Sequence, residues 1–165
     1  MSAASVARTR LLLVMVFLLV LHFYVRPRLF DYKFAPDFLL VALLVYAIRS
    51  RPGDAAIAGF LVGLVSDSLV PARFGAGALA HTVVAYLTAW GRAVFFADNL
   101  IVNAAVFAGG LWVRDLIVVV ASGGGGGGLL TTLGVWAPLR ALTTALAGIL
   151  VLVVFRDWLD IRLEE

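Results

Sequence analysis

The chain has 165 residues, 63% of them hydrophobic and 14% charged, against about 45–50% apolar and about 25% charged in soluble domains. That balance excludes an ordinary soluble globular protein, and a net charge of +3 spread along the chain leaves no basic patch for nucleic acid. The lack of cysteine excludes disulfides, thiol nucleophiles and thiolate metal sites.

A helix needs about 20 apolar residues to cross the ~30 Å hydrocarbon core, and the apolar runs here suit about six such spans with short loops. The expected fold is all-α: one integral membrane domain over residues 1–165, a polytopic transmembrane helical bundle. The first span, 11–25, follows Arg8 and Arg10 and reads LLLVMVFLLVLHFYV. No small-x-small cleavage signal precedes Arg26, so a retained span is expected rather than a removed signal peptide. RPRLFDYKFAPD then mixes proline, charge and aromatics as an interfacial loop does.

The second span, 36–50, opens on Pro36-Asp37. Proline at the first helical position lacks only an N–H that was unpaired anyway, and Asp37 can accept from the remaining orphan donors and meet the positive end of the dipole. Fifteen residues span roughly 22 Å, short of the core, so this helix stands in a thinned region or is enclosed by neighbours. In RSRPGD, Pro52-Gly53 supplies a turn and Arg49 and Arg51 the charge. A third span, 55–70, is closed by Pro71 and Arg73; a fourth, 74–90, ends at Gly91-Arg92; a fifth covers 100–121. The loop 122–134 contains SGGGGGG, a flexible tract without the lysine of a phosphate-binding P-loop. The last span, 135–155, carries Pro138 and Arg140 near its start, and RDWLDIRLEE forms a polar tail.

Polar residues inside such spans are the candidates for function. Gly59, Gly63 and Asp67 are four apart and stack on one helical face. Glycines at that spacing let a second backbone approach closely, so the carboxylate sits at the end of a close-packed seam. Asp67 can serve packing by capping or hydrogen-bonding another helix, can bind a partner, or can conduct ions; conduction requires further acids or histidines along one path. In the fifth span, Asn103, Phe107, Gly110 and Arg114 share a stripe at spacings of four, three and four, and that stripe should face protein. Arg114 and its neighbour Asp115 point about 100° apart on a helix, which predicts different faces. Arg114 either pairs with a carboxylate on another span, Asp67 being one candidate, or snorkels to a headgroup. His22 and His81 stand without ligands at metal-binding spacing, so His81 is expected to be a hydrogen-bonded interior residue. Ser66-Asp67-Ser68 is no catalytic triad, and neither an enzyme activity nor a cofactor is expected.

The stretch PDFLLVALLVYAIRSRPGDAAIAGFLVGLVSDSL, followed by FGAGALAHTVVAYLTAWGR, resembles the rod-shape-determining MreD family. The shared pattern is a Pro-Asp helix start at Pro36 and Asp37, a basic turn at Arg49 and Arg51, then G-x-x-x-G-L-x-x-D at Gly59, Gly63, Leu64 and Asp67. The resemblance implies a fold similar to the substrate-binding subunits of energy-coupling-factor vitamin transporters. It also implies a place in the bacterial inner membrane beside MreC, the MreB filament system and peptidoglycan synthases. The glycine tract and the Arg114-Asp115 pair depart from that pattern.

Two functions follow as expectations. The first is a scaffold whose Gly59/Gly63/Asp67 seam and fifth-span stripe hold an MreC-like single-span partner among membrane lipids. The second is a small-molecule-binding subunit of a vitamin-type transporter, for which convergent polar groups are sparse.

By this layout Arg8, Arg10, Arg49, Arg51, Arg92, Arg156 and Arg162 share one side and Arg26, Arg28, Lys33, Arg73 and Arg140 the other, seven against five. The excess favours cytoplasmic termini. A reporter fused within Gly123 to Gly128 is therefore expected to be exported and one fused at Glu165 retained, the reverse pattern inverting the topology.

Overall fold

The computed structural model describes residues 3–29, 34–92, 99–123, 129–155 and 158. Among them the chain forms a helical bundle of α1 (Ala3–Val20), α2 (Phe38–Ala47), α3 (Pro52–Ser68), α4 (Ala76–Arg92), α5 (Leu100–Ala121) and α6 (Ala137–Val154). Residues 30–33 of the expected interfacial loop, glycine-tract residues 124–128 and the tail residues 156, 157 and 159–165 lie outside the described residues.

Three segments are long and apolar enough to cross a membrane: Thr9–Arg28, Leu100–Ala121 and Thr132–Val154. The bundle wears its apolar side chains outward, with Leu12, Val16, Ile57, Leu61, Leu146 and Leu150 all exposed, while Asp37, Asp67, His81 and Asp115 are buried. A soluble protein shows the opposite distribution, so lipid is the solvent this surface fits.

Two helices run further than the sequence suggests. α1 continues through a π-helical turn, Leu21–Val25, into Arg26–Leu29, so the residues after Val25 are helical before they become loop. α6 is preceded by Leu129–Thr131 and a second π-helical turn, Thr132–Trp136, which takes helix into the expected 122–134 loop. Each π turn closes with an N–H five residues after its acceptor: Arg26 to the Leu21 carbonyl, and Ala137 to the Thr132 carbonyl. In both cases the next residue is proline, Pro27 or Pro138. Proline removes one helical N–H and crowds the carbonyl four residues back; widening the preceding turn accommodates it without ending the helix.

α2 is the centre. It touches each of the other five helices, and Leu39 through Val45 are buried without interruption. A helix that is apolar all round has no solvent face to present. Ten residues span about 15 Å, too short to cross a bilayer, and neighbouring helices enclose them. Its first helical residue is Phe38, with Asp37 as the N-cap, so Pro36 precedes the helix instead of opening it. Pro52 is likewise the first residue of α3 rather than part of a turn.

α3 packs on α4 through the glycine seam. A Cβ on Gly63 would lie 2.7 Å from the Ala78 nitrogen, and one on Gly59 would lie 2.9 Å from the Thr82 Cα. Nothing lies within 4 Å of a Cβ placed on Gly53. Gly63→Ala must push two backbones apart and is expected to destabilise by about 1–3 kcal/mol, the usual cost of overpacking. Gly53→Ala should leave stability level or slightly higher, and thermal unfolding of both variants in one detergent separates them.

Candidate functional site

Asp67 sits in the last turn of α3, yet its carboxylate serves α4. Oδ1 accepts from the Gly77 N–H at 2.9 Å, and Oδ2 accepts from Gly75 at 2.8 Å and Ala78 at 2.9 Å. These are N–H groups at and before the first turn, which a helix cannot satisfy internally, and the negative charge meets the positive end of the helix dipole. Two glycines make the approach possible. Gly75 takes φ +96°, a conformation that glycine adopts at little cost, and a Cβ on Gly77 would stand 2.9 Å from the Asp67 Cγ. Of the roles open to Asp67 from sequence, the geometry shows capping of a neighbouring helix. The seam of Gly59, Gly63 and Asp67, expected to receive a separate polypeptide, is filled by the chain's own α4.

Asp37 organises a second cluster. Its Oδ1 accepts from the Leu40 N–H at 3.0 Å, and its own N–H donates to Thr144 Oγ1 on α6 at 3.0 Å. Arg114 of α5 donates from Nη2 to Asp37 Oδ2 and from Nη1 to Asp115 Oδ1 at 2.6 Å. Arg140 of α6 closes the chain, donating to Asp115 Oδ2 at 2.7 Å. His22 accepts the Leu39 N–H on Nδ1 at 3.1 Å, so that nitrogen carries the lone pair and the 3.4 Å approach to Asp37 Oδ1 is no donated hydrogen bond. Two guanidiniums and two carboxylates thus alternate and balance.

The carboxylate on another span that Arg114 finds is Asp37, and among the described residues it makes no ion pair with Asp67. Nor do Arg114 and Asp115 serve separate faces. Their Cα positions diverge as expected, but a long arginine stem lets the guanidinium turn back to the adjacent carboxylate, and with a side chain only 16% exposed it does not snorkel. The stripe does face protein: Asn103 and Phe107 are buried, Phe107 lies where a Cβ on Gly148 would be, and Gly110 faces Leu44 and Val84. Asn103 is remote from the charge network and donates to the Asn99 carbonyl at 3.1 Å.

Sequence reasoning missed Arg140, Thr144 and His22 as network members and Gly77 as the residue that admits Asp67. Arg140 and Thr144 sit four apart near the start of α6, one turn from Pro138, and that spacing with Asp37 and Arg114 at comparable depth was the available signal. Beside the network a polar cavity of about 110 Å³ is bounded by Asp67, Arg73, His81, Arg114, Asp115 and Arg140 among others. His81 donates from Nδ1 to the Gly77 carbonyl at 2.7 Å, the interior hydrogen-bonded role expected of it.

Removing one member of a buried pair strands the other charge, at about 3–5 kcal/mol. Arg114→Met is expected to lower stability by that order. Asp37→Asn keeps an acceptor for Leu40 while deleting the charge, so the double variant should be less destabilised than the sum of the singles. A double-mutant cycle by thermal unfolding measures that coupling.

A family model described as rod shape-determining protein MreD matches residues 5–156. No curated protein and no solved structure gives a match. The match spans nearly the whole chain, including α5 and α6, beyond the stretch from Pro36 to Arg92 that carries the sequence pattern. With a helical bundle clothed in apolar side chains around a buried network of aspartates and arginines, this chain belongs to the MreD family of rod-shape-determining membrane proteins.

Proposed function

We propose that this chain is a non-enzymatic scaffold of the bacterial cell-elongation machinery in the inner membrane. In this reading it binds an MreC-like single-span protein and so links the MreB cytoskeleton to peptidoglycan synthesis. Family membership supports the setting; one surface feature supports the docking. With the glycine seam filled by α4, the face offered to a partner must lie elsewhere.

A groove of about 290 Å³ runs between α4 and α5, walled by Val84, Leu87, Val102, Ala105, Gly109 and Val113. Ala105 and Gly109 are exposed on it. In lipid, where hydrocarbon gives helices no hydrophobic drive to associate, small residues allow the close backbone approach on which docking depends. With both termini cytoplasmic, as the arginine distribution favours, the groove belongs to the inner-leaflet half, beside the ends of α2 and α4 and the start of α5.

Gly109 makes the test clean, because nothing lies within 4 Å of a Cβ placed there. Gly109→Leu should therefore fold normally while filling the groove, and a cost of about 1–3 kcal/mol at the interface corresponds to roughly 5- to 150-fold weaker association. Co-purification of the MreC-like partner is expected to fall at least about fivefold with Gly109→Leu. Leu150→Phe, on the exposed face of α6, should leave it unchanged. Equal recovery by both variants would remove the groove as the docking face.

A further inference from the structure

Four buried side-chain nitrogens among the described residues lack a hydrogen-bond partner; Arg26 Nε stands apart, and the other three belong to side chains around one cavity. Nε2 of His81, Nε of Arg114 and Nε of Arg140 are buried without a hydrogen-bond partner among the described residues, and all three side chains bound the polar cavity of about 110 Å³. His81 is 1% exposed. A buried polar group left unsatisfied costs about 1–3 kcal/mol, so three around one cavity mark a place built to receive polar atoms. Arg73, on the turn Pro71–Arg73 between α3 and α4, is exposed and lines the same cavity, which puts a guanidinium at its rim.

We infer that this cavity binds a phosphate group, with Arg114, Arg140 and Arg73 donating to its oxygens and His81 Nε2 facing its hydroxyl. Each of the two carboxylates on the wall already has donors on both of its oxygens. Asp115 takes one guanidinium on each oxygen, and Asp67 takes three backbone N–H groups. Asp37 and Asp115 balance Arg114 and Arg140, and Arg73 offsets the Asp67 carboxylate on the same wall, so the attraction for an anion comes from directed N–H groups rather than from net charge.

The imidazole decides between anions. Because Nδ1 donates to the Gly77 carbonyl, neutral His81 presents a lone pair at Nε2 and needs a donor. A carboxylate or sulfate has acceptor oxygens only. A phosphate with a second pKa near about 6 keeps a singly protonated fraction at neutral pH, and its P–OH can donate to His81 while its other oxygens accept from arginine. At roughly 10–15 Å³ per water, the cavity has room for a group several waters in size. A lipid phosphomonoester headgroup and free phosphate share this chemistry. The site is independent of the α4–α5 groove, which lies in the opposite half of the bundle.

The test uses the full chain in phosphatidylcholine nanodiscs, with ligand-induced thermal protection and direct binding as readouts. One arm adds inorganic phosphate, one adds sulfate, and one replaces part of the lipid with phosphatidic acid. Protection by phosphatidic acid alone assigns the lipid headgroup; protection by inorganic phosphate assigns the free ion; either supports the site. Arg73→Gln, at an exposed position, should weaken binding about tenfold, as loss of one charge-assisted bond does. His81→Asn keeps an amide donor for Gly77 and deletes Nε2, and it should abolish the preference for phosphate over sulfate. No protection in any arm would overturn the proposal, as would equal binding of phosphate and sulfate by the unaltered chain. Variants that fold and bind as tightly as the unaltered chain would overturn it too.

Discussion

A carboxylate taken out of water must be surrounded by donors or it destabilises whatever holds it, and a bilayer interior supplies no water to help. Each buried aspartate among the described residues meets that demand with groups that would themselves be stranded. Asp67 takes the free N–H groups at the start of α4, Asp37 takes the Leu40 N–H and Arg114, and Asp115 takes both arginines. Helix ends and charges, each costly alone in lipid, are thereby cancelled against one another. The bundle's geometry follows from making those cancellations reach.

For a carboxylate on α3 to touch backbone nitrogens of α4, the two helices must approach until no side chain fits between them. Gly59, Gly63 and Gly77 are that constraint written in residues: at each, a Cβ would meet backbone atoms or the carboxylate itself. The same logic explains a central helix too short to span. Asp37 anchors the start of α2 to Thr144 of α6 and Arg114 of α5, inside the bundle rather than at its surface. From there ten residues need only fill the space among five neighbours, and uniform apolarity suits them to it.

How much of this the sequence discloses depends on range. The bounds of α5 were legible because a long apolar run sits between polar punctuation, and Asn99 caps it with bonds to Ile101 and Val102. The Gly59–Gly63–Asp67 stripe was legible as a close-packed seam because its spacing fixes the face. What it packs against was not, since a helical face looks the same whether a sequence neighbour or another protein covers it. Arg114 and Asp115 misled for a different reason: helical angle describes Cα directions, whereas an arginine head ranges several ångströms from its own. The π turns before Pro27 and Pro138 were hidden because proline statistics favour a break, whereas one widened turn lets the helix continue.

The groups that cancel also share a level. His22 lies near the end of the first helical stretch, Asp37 at the start of α2, Asp67 at the end of α3, His81 in the second turn of α4, Arg114 and Asp115 late in α5, and Arg140 and Thr144 early in α6. In an up-and-down chain those positions fall in one half of the bundle, and the hydrogen bonds among them require it. The other half is packed mainly by small and apolar residues, with Arg92 and Asn103 beside the groove where Gly109 and Ala105 are exposed. Such a division has a mechanical consequence. The charged half is pinned by directional bonds that tolerate little displacement, while the apolar half is held by non-directional packing, which can yield to a helix laid against it without stranding any charge. The proposed scaffold role would draw on both: a rigid end that keeps the helices in register, and a compliant flank where association is not opposed by the network that folds it.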